Sequence, residues 1–236
     1  MDFTTRTEAL LGKGSTEKLN SKKVAVFGLG GVGGYAVEAL VRAGIGSITL
    51  VDFDTVSVTN INRQIIATTK TIGKKKTDLT VKRVKEINPD INVSKLDIFY
   101  NEETQNLFDL SAFDYIVDAI DSVSSKVLLI KNALEKGVKI ISSMGTGNKL
   151  DPTAFKVDDI SKTSYCPLAK AVRRELKKVG ITSGVKVVYS TEQREIEFDD
   201  DLEKKGKGIV PASVSFVPSV AGLIIGGQVI LDLIKD

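Results

Sequence analysis

The feature that most constrains this chain is a run of apolar β-formers ending in a glycine turn, Val24-Ala-Val-Phe-Gly28-Leu-Gly30-Gly31-Val-Gly33-Gly34, followed at fixed offsets by Asp52, Asn60, Arg63, Gln64 and Lys76. A strand passing through Gly28-x-Gly30-x-x-Gly33 into a helix aims backbone N–H groups and a helix N-terminus at one spot, where a polyphosphate can sit and side chains would collide. Gly28, Gly30, Gly31 and Gly33 are therefore candidate nucleotide-binding residues. Asp52 ends the next strand, where a carboxylate accepts hydrogen bonds from ribose hydroxyls. To this point a dehydrogenase fits as well as an ATP-using enzyme.

Composition narrows the chemistry. The chain has 236 residues, 42% hydrophobic and 27% charged, enough for one sizeable α/β core and a tight fit for two independent domains. It has no histidine, which removes Ser-His and Cys-His nucleophile pairs and any imidazole acid, base or ligand. A single cysteine, Cys166, removes intramolecular disulfides and every C-x-x-C zinc arrangement; it reads as a small, partly buried side chain rather than a nucleophile. No export pattern opens the chain, so a cytoplasmic protein is expected. Val214 to Ile234 is nearly uncharged and about long enough to span a membrane. The polar interruptions there, with Gly222, Gly226 and Gly227, favour a closely packed core or dimer helix, and no stable membrane insertion is expected.

Short β-rich runs at Val24–Phe27, Ile48–Val51, Ile91–Leu96, Tyr115–Val117 and Val138–Ile141 alternate with helical stretches such as Tyr35–Ala43 and Lys75–Ile87. That alternation predicts a Rossmann-like, doubly wound, mostly parallel α/β sheet. After Asp151-Pro152 the rhythm changes to Ala154–Val157, a basic helix and Val185–Tyr189, which predicts an antiparallel extension. The charged, glycine-bearing stretch 199–208 has no apolar period and is expected to be a mobile loop, either a lid or a solvated linker.

The polar residues after the glycines tilt the choice. Arg63 can bridge phosphate oxygens with a planar fork while Lys76 supplies a point charge, a pair suited to charge developing as an oxygen nucleophile displaces pyrophosphate. Asp121, in Val117-Asp118-Ala-Ile-Asp121-Ser122, ends another strand of the same edge and could hold Mg²⁺ against a triphosphate. Each also has a plainer use: Arg63 paired with Asp54, Lys76 solvated beside Lys74 and Lys75, Asp121 capping the next helix.

As a set, Gly28-Leu-Gly-Gly-Val-Gly33, Leu50-Val-Asp52-Phe-Asp54, Asn60-x-x-Arg63-Gln64, Gly73-x-x-Lys76 and Asp118-Ala-Ile-Asp121 resemble the adenylating fold shared by ubiquitin-activating enzymes, ThiF and MoeB. The resemblance implies ATP and Mg²⁺ as cofactors, a carboxylate substrate, an acyl-adenylate intermediate and a homodimer. By it, Asp52, Asp54, Asn60, Arg63, Gln64 and Lys76 belong to the ATP site and Asp121 to the metal. Arg6, in Phe3-Thr-Thr-Arg6-Thr-Glu-Ala-Leu, matches an arginine that the family sends into the partner's ATP site; it could equally be a surface charge.

The second half resembles the TcdA (CsdL) family of tRNA threonylcarbamoyladenosine dehydratases, through Gly145-Thr-Gly147-Asn-Lys-Leu-Asp151-Pro152-Thr, Val157-Asp-Asp-Ile-Ser-Lys162-Thr163, Pro167-Leu-Ala169-Lys and Ser190-Thr191-Glu192. It implies ATP-dependent cyclisation of the threonylcarbamoyl side chain of a tRNA adenosine, with that tRNA as partner and a sulfur-transfer or redox protein as a further candidate. Two positions depart from that family: Cys166 stands where relatives commonly have an acidic residue, and Val187 where some carry a cysteine. Ring closure on an adenylated carboxylate benefits from proximity and needs no enzyme nucleophile, which suits a chain of this composition. The expected organisation is one ThiF-type adenylating domain over 1–236, with an N-terminal arm (1–23), a nucleotide-binding core (24–145) and a substrate, tRNA and dimer-supporting part (146–236).

One feature of the residues supports a tRNA partner independently. Between 160 and 187 seven cations face the single carboxylate Glu175, a local charge of 7 − 1 = +6 in a chain whose total is +3. Leu168, Val172, Leu176 and Val179 form an apolar stripe that would turn Lys170, Arg173, Arg174, Lys177 and Lys178 outward, with Lys162 nearby, toward phosphates. A merely soluble basic helix is the plain alternative. Adenylation of a sulfur-carrier protein's C-terminal glycine, a nicotinamide-dependent oxidoreductase and a nucleotide-sensing scaffold remain rival activities.

Overall fold

The computed structural model describes residues 2–193, 204–205, 208–209 and 211–235. Two short helices, α1 (Thr5–Leu11) and α2 (Ser15–Asn20), precede β1 (Lys23–Phe27), α3 (Gly33–Arg42) and β2 (Ser47–Val51). Then come α4 (Lys76–Ile87), β3 (Asn92–Leu96), β4 (Tyr115–Asp118), α5 (Val123–Glu135) and β5 (Lys139–Ser143). β6 (Phe155–Asp159), α6 (Pro167–Lys178), β7 (Lys186–Ser190) and α7 (Phe216–Lys235) complete the layers. Seven strands form one sheet in the order β3-β2-β1-β4-β5-β7-β6. All pairs are parallel except the β6–β7 pair, so the antiparallel extension lies at one edge, with β7 running parallel to β5. The expected loop at 199–208 lies largely outside the described residues; within it the backbone of β8 (Lys204–Lys205) pairs antiparallel with β9 (Gly208–Ile209).

Alternation along the strands explains the two-faced core. Val24 and Val26 of β1 point to the side covered by α3 and α7, while Ala25 and Phe27 point to the side covered by α5 and α6. Both faces are covered, as a parallel sheet requires.

The apolar C-terminal segment is long and hydrophobic enough to cross a membrane by length and composition alone. In the fold half of it is buried, and it packs along α3. Two glycines explain how closely: a Cβ on Gly222 would lie 2.2 Å from the Val32 carbonyl oxygen, and one on Gly226 would lie 2.6 Å from Ala39 Cβ. Gly227, expected to share this role, has open space around it because it faces away from α3.

The strand order reverses between β1 and β4, so the turns leaving their carboxyl ends diverge to opposite faces and open a crevice. The glycine turn Gly28–Gly33 and the loop Ala119–Asp121 form its two lips.

Candidate active site

The lips are built by contacts that only glycine permits. Gly28 has φ +90°, and a Cβ there would lie 2.6 Å from the Ala119 carbonyl oxygen. A Cβ on Gly33 would lie 1.8 Å from the Gly28 carbonyl oxygen, so this glycine is demanded by the approach of α3 to the strand, and it does not line the crevice. Gly30 differs. Its missing side chain opens toward the crevice, with Gln64 Nε2 at 3.8 Å as the nearest atom. The sequence grouped these glycines together; the structure divides them into packing and cradle.

Asp52, buried at the end of β2, ties the turn in place. One carboxylate oxygen accepts from the Leu29 N–H at 2.6 Å and the other from the Asp54 N–H at 2.8 Å. Burial raises its pKa above the ordinary aspartate value, opposed by Lys76 and by those two N–H groups.

A short 3₁₀ turn, Val58–Asn60, delivers the next residues. Buried Asn60 accepts from the Ser57 N–H at 3.1 Å, which closes that turn and sets the direction of the following chain. Arg63 packs its stem over Gly31 and donates from Nη1 to the Thr59 carbonyl and Asn62 Oδ1, both at 2.9 Å. Partial burial lowers its pKa below the ordinary arginine value. Gln64 is buried beside Gly30, and its Oε1 has no hydrogen-bond donor. Lys76 opens α4 and is 5% exposed, unlike solvated Lys74 and Lys75, and it pairs with Asp54 at 2.8 Å. That pair takes Asp54, so the Arg63–Asp54 pairing is not formed. Asp121 is exposed on the opposite lip, and the cap of α5 is Ser122, which accepts from the Ser125 N–H.

Below that lip lies a fully buried ion pair. Lys126 Nζ donates to Asp118 Oδ2 at 2.8 Å, and both side chains are 0% exposed. Ser142 donates to the same oxygen at 2.6 Å, and the Ile120 N–H to the other at 3.1 Å. The network fixes the Ala119–Asp121 loop from beneath.

Gly28, Gly30, Gly31, Asp52, Asp54, Asn60, Arg63, Gln64, Lys76 and Asp121 all line one cavity of about 1170 Å³. Exposed Phe53 and Phe99, edge to face at 4.9 Å, form one wall. The cavity continues past the ends of β5 and β7, where Asn148, Lys149, Tyr165 and Glu192 line it.

Residues 4–235 match the ThiF family. A tRNA threonylcarbamoyladenosine dehydratase of Bacillus subtilis (strain 168) is 46% identical over 98% of this chain and 94% of its own length. The chain belongs to the ThiF family, among the tRNA threonylcarbamoyladenosine dehydratases. The dehydratase of Escherichia coli (strain K12) is 37% identical over 79% of this chain and 72% of its own. Crystal structures of the E. coli enzyme TcdA superpose along nearly the whole chain. The complex with AMP has a TM-score of 0.88 at 32% identity, covering 98% of this chain and 92% of that one. The complex with ATP has a TM-score of 0.87 at 31% identity, covering 98% and 93%.

This ThiF-family chain carries its basic helix, α6, at the far rim of the cavity. Ala169, Val172 and Leu176 bury its inner face. Val179, expected in that stripe, is 44% exposed because the helix has already ended. Lys170, Arg174, Lys177 and Lys178 are exposed, and Arg174 and Lys178 both reach Glu175. Lys162 is exposed and pairs with Asp158. Arg173 departs from the expectation: it turns in and donates to Thr163, so it is not part of the outward set. Arg6 is exposed on α1 and does not line its own chain's cavity.

Cys166 proves fully rather than partly buried, at the cap of α6. Sequence reasoning missed Phe53, Phe99, Lys126 and Tyr165. Lys126 carried a signal, a lysine beside Val127 on the apolar-rich stretch 127–130. The two phenylalanines carried none, since they meet only when β2 and β3 pair.

Proposed function

We propose that the chain is an ATP-dependent tRNA threonylcarbamoyladenosine dehydratase. The observation that carries this reading is the convergence of a glycine cradle, Arg63, Lys76 and Asp121 on one cavity that continues into a second compartment. The E. coli relative TcdA has been crystallised with ATP and with AMP, and the residues present here fit a nucleotide. The open side of Gly30 leaves room for phosphate against backbone N–H groups, and Gln64 Oε1 is a buried acceptor in need of a donor.

ATP supplies the adenylyl group that makes the threonyl carboxylate a good acyl donor, with pyrophosphate leaving. Arg63 and Lys76 hold the anionic oxygens and offset the charge that grows on them. Asp52 anchors the turn and can accept from a ribose hydroxyl. Asp121, exposed on the lip of the cavity that holds the cradle, would hold Mg²⁺, an ion that takes one or two carboxylates and completes its shell with phosphate oxygens and water. Closure within the substrate's own side chain then expels AMP, for a net loss of one water. In a homodimer, Arg6 would reach the partner's cavity.

The test is incubation with ATP, Mg²⁺ and tRNA bearing threonylcarbamoyladenosine, followed by nucleoside mass spectrometry for the dehydrated product. Arg63→Ala, a half-exposed position, should lose that product while keeping the wild-type melting temperature. An Arg63→Ala protein that still turns over would remove Arg63 from the mechanism, and a wild type without product would end the dehydratase reading.

A further inference from the structure

We propose that the compartment beyond the phosphate cradle is a nucleoside subsite, in which Tyr165 stacks on an extruded base and Lys149 receives the carboxylate that the base carries. The proposal rests on the dehydratase reading and assigns residues to the part of the substrate other than ATP.

Volume gives the first reason. A cavity of about 1170 Å³ exceeds the span of roughly 300–1,000 Å³ usual for one small ligand, so a nucleotide in the cradle leaves room for a second group. The second reason is the lysine. Lys149 is 7% exposed and donates to the Glu192 main-chain carbonyl at 2.9 Å, and among the described residues it makes no ion pair. Lysines this buried are ordinarily paired with an anion. A substrate carboxylate supplies one, and it lies in the same cavity as the triphosphate cradle it must reach.

Backbone conformation gives the third. Asn148 and Tyr165 are the only non-glycine residues with positive φ among those described, at +60° and +58°, and both line this compartment. Such conformations are held by the surrounding fold and gather at functional sites. Asn148 is fixed by its N–H donating to the Ala212 carbonyl at 2.7 Å, while its Oδ1 is buried without a donor. That oxygen suits an N–H of a ureido linkage. Tyr165 is held between Ser164 and the cap of α6, yet the residue is 62% exposed at the cavity wall, as a platform for a planar base requires. Glu192 stiffens the whole loop, its carboxylate accepting from the Leu150 and Asp151 N–H groups at 3.0 and 2.9 Å.

The experiment compares tRNA carrying threonylcarbamoyladenosine with the same tRNA lacking the modification, by anisotropy in the presence of a non-hydrolysable ATP analogue, alongside steady-state dehydration. Wild type should prefer the modified tRNA. Lys149→Met should bring that preference close to one, and Lys149→Arg should keep it. Tyr165→Ala should raise KM for the modified tRNA about tenfold, and Tyr165→Phe should not, since stacking rather than the hydroxyl is used. ATP affinity and melting temperature should stay near wild type; Tyr165 is exposed, so its variants report even where Lys149→Met folds poorly. Wild-type KM in Tyr165→Ala, or an undiminished preference in folded Lys149→Met, overturns the subsite. A wild type that never dehydrates the nucleoside overturns the function itself.

Discussion

Lys126→Met should cost the protein a large part of its stability, although residue 126 touches none of the expected ligands. In the native chain the Lys126 ammonium lies 2.8 Å from Asp118 Oδ2 with both groups at 0% exposure. At an effective dielectric of about 20 the gross attraction is about 6 kcal/mol. Much of that offsets desolvation, so the pair's net worth is small, but removing one partner strands the other charge. Asp118 would keep only the Ser142 hydroxyl and the Ile120 N–H. The expected loss is about 3–5 kcal/mol, a large part of the ~5–15 kcal/mol that holds a domain together. The double variant Asp118→Asn/Lys126→Met should recover about 2 kcal/mol or more, because a neutral amide can accept from Ile120 and donate to Ser142. Urea unfolding followed by circular dichroism measures both, the chain having five tyrosines and no tryptophan. Lys126→Met within about 1 kcal/mol of wild type, or a double variant no more stable than the single one, would refute the claim that a stranded charge is the cause.

Gly33→Ala and Gly30→Ala should separate fold from ligand. The first places a methyl 1.8 Å from the Gly28 carbonyl and should cost about 1–3 kcal/mol or more in thermal unfolding, whereas the second should melt normally and bind ATP roughly tenfold more weakly by calorimetry. Asp97, held at a pKa of about 2 first by Lys75 and then by Thr77, is ionised in the fold to lower pH than in the unfolded chain. Its stability contribution is full above about pH 4 and is lost as pH falls toward about 2, so the Tm gap between wild type and Asp97→Asn should close across that window. The difference in unfolding free energy at neutral pH should be about 1 kcal/mol once solvent screening is allowed for. Reversing Lys170, Arg174, Lys177 and Lys178 to glutamate should weaken tRNA binding and flatten its salt dependence, by about 0.7–0.9 in log–log slope for each phosphate no longer neutralised, with ATP affinity unchanged; an unaltered slope would show that the helix does not meet the tRNA.

The glycine turn, the alternation of short strands and helices and the polar residues at fixed offsets were legible in the chain because each is a local property. A strand has a period of two, a glycine turn needs its glycines wherever it occurs, and a dozen residues fix which side chains share a helix face. Even the antiparallel edge showed as a change of rhythm after Asp151. What local pattern could not supply was partnership. Whether Lys76 was solvated or buried depended on Asp54 coming to meet it, and the outward or inward turn of Arg173 depended on Thr163, ten residues away but across a loop. The division of the glycines into those that pack and those that cradle likewise depended on Ala119 and Gln64 arriving from elsewhere.

The amino-acid order by itself determined the class of fold, the nucleotide-facing turn and the absence of imidazole chemistry and intramolecular disulfides. Only the tertiary structure decided that Asp118 and Lys126 are joined beneath the lip, out of reach of water, and that Asn148, Lys149 and Tyr165 form a second compartment. The physical reason is that burial is settled by neighbours distant in sequence: β5 brings Ser142 to Asp118, and the chain after β7 brings Glu192 to Lys149.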